Sequence, residues 1–309
     1  MAMVSTLRLP HSPQPTMALT EGGVEEARNV LLSFDQLPKW HQDNEFILHG
    51  YRSISGSGWI SFRSWLYIHN ESVNIYSHLV PTIIFLLSEW YLLQYLKSQY
   101  SYITSADVFI FCFFIITVII CLGLSTTYHT LMNHSSNIEQ LWLQFDLVGI
   151  VILILGVFIS GIYMVFWCEP LERKLYWSMI GGLGSFTIFV MLIPYFQGKE
   201  FRVFRALVFI GTGLSGFAPL IHGIKMFGWL QMIKQSGMFY YLIEGGFLLL
   251  GALFYITKFP EKQFPGRFDI YGSSHQLFHI LVVSATAFHL IGIMDAFNYN
   301  YINRTCSSH

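Results

Sequence analysis

Apolar residues fall into seven long, nearly continuous runs, at about residues 78–96, 106–128, 141–164, 175–193, 203–224, 238–256 and 275–296. Each is near the roughly 20 residues that cross a 30 Å hydrocarbon layer as α-helix. The runs do not alternate with polar positions, which argues against strands. A helix also closes its backbone hydrogen bonds within itself, as the bilayer interior demands. The pattern predicts an all-α fold, a seven-transmembrane helix bundle with a short interfacial helix before the first span. Connections are short except at 257–274, which carries Pro260, Pro265 and Gly266.

Two different textures precede the runs. Residues 1–35 hold Pro10, Pro13, Pro15, Gly22 and Gly23 with no long apolar stretch, and read as a disordered N-terminal tail. They lack the apolar h-region of a signal peptide, so the first span is expected to direct insertion. Residues 36–76 are rich in aromatics (Trp40, Phe46, Tyr51, Trp59, Phe62, Trp65, Tyr67) but too polar to cross. Such a segment suits the membrane interface, with a surface helix expected around 58–69. The transmembrane domain then covers 77–296, and 297–309 form a short C-terminal tail. Glycines at 181, 182, 184, 211, 213, 216, 245, 246 and 251 are expected to let helices approach closely.

Composition agrees: 53% of residues are hydrophobic and only 11% charged, with a mean hydropathy of +0.50. A soluble domain carries about 25% charged residues. A net charge of −1 gives no electrostatic reason to expect nucleic acid as a partner. The four cysteines (Cys112, Cys121, Cys168, Cys306) are scattered and form no CxxC pair, so neither a disulfide framework nor a thiolate zinc site is expected. Lysine and arginine are in excess on the side of the N-terminus, but the excess nearly vanishes when only charges close to helix ends are counted. Charge alone therefore decides little about orientation.

Ionisable side chains at membrane depth are costly, so each is a functional candidate. Ser125 and His129 end the second run, Asp146 lies early in the third, and His275 and His279 open the seventh. In a serpentine chain these three places share one membrane face. His275 and His279 are i and i+4, so their rings project from one side of the helix; Ser125 and His129 obey the same rule. Three imidazoles from two helices form an N₃ set suited to Zn²⁺ with the fourth position left to water, the open pattern of catalytic zinc. Zinc would lower the pKa of that water to about 7. Asp146 could be a ligand, or could orient the water and take its proton; Ser125 could hydrogen-bond a substrate oxygen or an oxyanion. Blander readings stand beside these. Asp146 could be a hydrated interfacial carboxylate, Glu244 could pair with a polar neighbour inside the bundle, and His222 and His289 could be satisfied packing histidines. His289 lies about ten residues, or roughly 15 Å, deeper than His279 and should not join the cluster.

These residues carry a resemblance. Leu37-Pro38-x-Trp40, Asp43-Asn44-x-Phe46-Ile47-x-x-Gly50-Tyr51-Arg52 and His69-Asn70-Glu71-Ser72-x-Asn74-Ile75-Tyr76-Ser77-His78 are followed by Ser125-x-x-x-His129, Asp146 and His275-x-x-x-His279. The set resembles the progestin and adipoQ receptor family, which includes adiponectin receptors, fungal Izh-type zinc-homeostasis proteins and bacterial hemolysin III-like proteins. A fungal Izh-type member fits the short N-terminal tail. The resemblance implies a multi-pass membrane protein of the endoplasmic reticulum or plasma membrane, with a cytosolic N-terminus and an external or lumenal C-terminus. It implies zinc held near the inner face by His129, His275 and His279, with Asp146 contacting a zinc-bound water, and a large lipid-accessible cavity. It also implies hydrolysis of a ceramide-like lipid amide to a fatty acid product, within lipid or zinc homeostasis signalling. A receptor in which zinc is only structural and a zinc-sensing protein remain as alternatives, and an extracellular protein ligand stays open.

Overall fold

A computed structural model describes residues 31–306. Most of the expected N-terminal tail, and the last residues of the C-terminal one, lie outside the described residues. The first helix, α1, covers Gly58–Arg63 and continues as a 3₁₀ turn over Ser64–Leu66, where the interfacial helix was expected. Trp59 and Leu66 are 73% and 83% exposed, as suits side chains that meet headgroups rather than a core.

The long helices follow: α2 Ser72–Gln99, α3 Ser105–Leu131, α4 Ser136–Val165 and α5 Pro170–Leu192. Next come α6 Arg202–Leu214, α7 Phe217–Phe227, α8 Trp229–Ser236, α9 Met238–Thr257 and α10 Ser274–Asn303. Seven segments are long and apolar enough to cross a membrane, the fifth being Lys199–Phe227, which contains α6 and α7. Their ends follow local chemistry. Thr104 and Asp107 form a capping box that satisfies the first free N–H groups of α3, and Pro170 opens α5 where a missing N–H costs nothing.

The core lies where α3, α4 and α10 meet, with Phe111, Phe114, Val118, Leu122, Met164 and Phe297 fully buried. Leu87, Phe186 and Leu253 point outward at 69%, 61% and 55% exposure, which only lipid makes tolerable.

Three expectations are corrected. The fifth run is not one helix: its ladder breaks at Ser215 and Gly216, where Ser215 N bonds Thr212 O and Gly216 N bonds Gly213 O in i→i+3 fashion. Pro219 has no N–H to bond back to Ser215, so the α-helical ladder cannot run through. Second, the cysteines are not all unpaired. Cys168, after α4, is disulfide-bonded to Cys306, after α10, across 138 residues of sequence. Both helices end at the same end of the bundle, a proximity that spacing along the chain does not reveal. Third, the glycines divide by role. Among the nine flagged, Gly184, Gly216 and Gly251 do meet Leu155, Phe158 and Phe278 closely, while Gly181, Gly182, Gly211, Gly213, Gly245 and Gly246 face open space. Another close seam lies between α3 and α4: a Cβ on Gly156 would lie 2.8 Å from Thr117 Cβ, and one on Gly149 3.2 Å from Cys121 Cα.

Residues 31–70 pack over one end of the bundle. Leu32 pairs with Tyr51 in an isolated antiparallel bridge, and Leu37, Ile47 and Tyr51 form a small core of their own. The segment is tied to the 258–273 connection. Asp269 accepts from Leu48 N and His49 N, and Glu261 accepts from Asn44 Nδ2 at 3.1 Å. Glu261 also accepts from Ser274 N at 2.8 Å, so this contact reaches the start of α10.

Candidate metal centre

Ser125, His129, Asp146, His275 and His279 line one cavity of about 880 Å³. His129 closes α3 in its last turn, while His275 and His279 open α10 one turn apart. The ligand nitrogens of the three histidines all lie within 4.8 Å of one another. His129 Nε2 and His275 Nε2 face each other at 3.2 Å. A tetrahedral ion with Zn–N bonds of 2.0–2.1 Å needs about 3.4 Å between ligand nitrogens, so the pair is near that spacing.

The other ring nitrogens of His129 and His279 are already occupied, while His275 Nδ1 is buried with no partner among the described residues. His129 Nδ1 lies 2.8 Å from Glu71 Oε2, and His279 Nδ1 lies 3.2 Å from both Asn74 O and Ser77 Oγ. A proton on each Nδ1 leaves Nε2 with its lone pair turned toward the common point, which is the tautomer a metal requires. Asn74 Nδ2 donates to Glu71 Oε2 at 2.7 Å and so steadies the carboxylate. Burial works to raise the Glu71 carboxyl. The His129 hydrogen bond and charge, the Asn74 amide and the Arg52 guanidinium outweigh it and hold the group well below the usual carboxylate range. Arg52 also donates to His129 O at 2.6 Å and Thr130 O at 3.0 Å, fixing the end of α3 from the interfacial segment. The donor set therefore fits a divalent ion of zinc type: three converging imidazoles, two of them backed by an acceptor.

Asp146 is not in the group whose atoms close to within 4.8 Å. Ser125, 3% exposed, and Asp146 line the same cavity as the three rings. That places Asp146 beside the three rings rather than among them. The remaining candidates separate as expected: His289 pairs with Glu244 at 2.7 Å, and His222 meets Tyr176 Oη at 3.0 Å.

The chain is similar to known proteins. The haemolysin-III-related family matches residues 66–290. The chain belongs to that family. It is 36% identical to the adiponectin receptor protein of Drosophila melanogaster over 284 residues, 92% of this chain and 63% of that one. It is 38% identical to progestin and adipoQ receptor-like protein 1 of Caenorhabditis elegans over 87% of this chain and 62% of that one. The ADIPOR-like receptor IZH2 of Saccharomyces cerevisiae is 36% identical over 90% of this chain and 89% of its own length. The chain thus spans less than two thirds of the fly and worm relatives and most of the yeast one. It is a heptahelical membrane protein of adiponectin-receptor type.

Sequence reasoning missed the residues that orient the site: Arg52, Glu71, Asn74 and Ser77. Their signal was present, because His69 to His78 is a dense polar run ending inside a membrane span, where polar groups need a reason. His78 was missed as well. Its ring stacks on His279 at 3.7 Å and 5°, it is 3% exposed, and neither of its nitrogens has a hydrogen-bond partner among the described residues.

Proposed function

We propose that this protein is a zinc-dependent lipid amide hydrolase of ceramidase type that acts in lipid and zinc homeostasis signalling. The observation that carries the reading is the convergence of three imidazoles at the polar end of a largely apolar cavity large enough for an acyl chain. Zinc held by His129, His275 and His279 would supply Lewis acidity and an acidified water. The chain's own groups do the rest. Asp146, which lines the cavity beside the rings, would receive a proton and later return it to the leaving nitrogen. Ser125 is placed to donate to oxygen on a substrate carbonyl. Leu153, Ile154 and Val157 of α4 with Phe217 and Leu220 of α7 form the apolar wall, and the break between α6 and α7 opens onto it. Non-helical backbone at membrane depth is tolerated where it lines such a cavity.

The Cys168–Cys306 bond supports an orientation. Disulfides persist in oxidising compartments, so the end of the bundle carrying the C-terminus faces the lumen or exterior. The histidine cluster, at the opposite ends of α3 and α10, then faces the cytosol, with the N-terminus on the same side. The endoplasmic reticulum and plasma membrane both meet this condition.

A second reading is favoured by the relatives' names: a receptor in which the metal only braces α3 against α10. The test is purification of the full chain in detergent, metal analysis, and a ceramide hydrolysis assay with and without chelator. We expect about one zinc per chain and turnover that chelation abolishes and zinc restores. Stoichiometric zinc without turnover would instead support the structural role.

A further inference from the structure

The cavity has a second polar wall, away from the histidine cluster. Ten residues beyond His279, and so roughly 15 Å along α10, His289 reaches Glu244 Oε2 through Nδ1 at 2.7 Å and Ser160 Oγ through Nε2 at 2.8 Å. The order Ser–His–Glu suggests a nucleophile, base and orienting acid, but the proton positions exclude it. Ser160 Oγ lies 2.7 Å from Gly156 O and 3.1 Å from Val157 O, so its hydrogen goes to a backbone carbonyl. Its lone pair accepts from His289 Nε2–H instead. Ser160 is also fully buried at 0% exposure and, unlike Glu244 and Tyr241, does not line the cavity. With Nε2 protonated, Nδ1 and Glu244 share one further proton, and the charges of the pair cancel.

The wall nevertheless has unused polar capacity. Glu244 and Tyr241 line the cavity. The Glu244 side chain keeps 6% exposure, and among the described residues its second oxygen accepts no hydrogen bond. The Tyr241 ring stacks on His289 at 5.2 Å, and its hydroxyl is buried with no partner among the described residues. An acceptor and a hydroxyl left unmatched at membrane depth are costly, and natural proteins keep such groups where a ligand meets them. A neutral hydroxyl is complementary to both, donating to Glu244 and accepting from Tyr241. An ammonium group is not, since the pair has no net charge to offer it.

We infer that Glu244 and Tyr241, braced by His289 and Ser160, form a subsite for a hydroxyl borne mid-chain by a lipid seated in the cavity. The inference rests on reading the cavity as a lipid-chain site, and requires neither hydrolysis nor zinc. The test measures equilibrium binding of octadecanoic acid and of its mid-chain hydroxylated form to the purified full chain. The wild type should favour the hydroxy acid by about tenfold, the effect of one hydrogen bond to a charged acceptor. The double variant Glu244→Met/His289→Phe replaces the pair with apolar groups of similar size and should fold, which its thermal transition will show. Its preference should fall below about twofold. His279→Ala should keep the preference, because the subsite is remote from the metal ligands. Equal binding of the two acids by the wild type, or an undiminished preference in the double variant, overturns the subsite while leaving the lipid reading of the cavity intact. Failure of either acid to bind overturns both.

Discussion

Glu71 Oε2 stands 2.8 Å from His129 Nδ1, joining the residue just ahead of the first span to the last turn of α3. The pair sits 58 residues apart in sequence, and it makes the polar segment before α2 part of the candidate metal centre rather than a passive anchor.

Loss of that carboxylate should therefore be read out in metal affinity. Glu71→Ala leaves all three imidazoles in place but frees the His129 ring. Partners of this kind are worth about 10–100-fold in affinity, and a chelator competition titration should show zinc binding weakened by that factor. Glu71→Gln, which can still accept from His129, should fall between wild type and Glu71→Ala. Zinc affinity equal to wild type in Glu71→Ala would show that His129 needs no such orienting.

Asp146→Asn separates hydrolase from structural site. Asparagine keeps the shape and can still hydrogen-bond, but it cannot take a proton. Zinc content and folding should stay near wild type while ceramide turnover falls by about 10²–10⁴. If zinc leaves together with activity, Asp146 is a ligand; full zinc with undiminished turnover removes its catalytic role.

The two buried histidines of α10 should fail in opposite ways. His279→Ala removes one of three ligands, and zinc should be largely lost. His289→Ala should leave zinc content unchanged, because its nitrogens are spent on Glu244 and Ser160. It leaves Glu244 buried without its partner, at a cost of about 3–5 kcal/mol, visible as a lowered unfolding transition. Equal zinc loss in both variants would contradict the cluster.

Topology and the disulfide can be examined together. A glycosylation reporter appended at the C-terminus should be modified, and one at the N-terminus should not. The native sequon at Asn303 is a poor substitute, since it closes α10 and its amide is bonded to Tyr299 O. Cys168→Ser should lower stability by about 2–4 kcal/mol, and reductant should do the same to the wild type only. Modification confined to the N-terminus would invert the orientation.

Much of this protein was legible before any tertiary structure. Seven continuous apolar runs specify seven spans, because a bilayer accepts nothing else of that length, and i, i+4 spacing with serpentine order is enough to propose that His129, His275 and His279 share a face. What depended on side-chain direction or on contacts far apart in sequence was decided only by the fold. Glu71, Asn74 and Ser77 become partners of the histidines because α2 packs beside α3 and α10. Cys168 and Cys306 pair because α4 and α10 end together. Asp146 falls beside the imidazole set rather than in it, a matter of a few ångströms that residue spacing cannot resolve. The break at Ser215 and Gly216 was hidden by apolar composition, which records burial in lipid but not continuity of hydrogen bonds. The chain's hydropathy thus determined how many times it crosses, since that is a property of local transfer free energy. Which polar groups meet inside was decided by packing, since that depends on helix rotation and depth, and these are set jointly by all the neighbours of each helix.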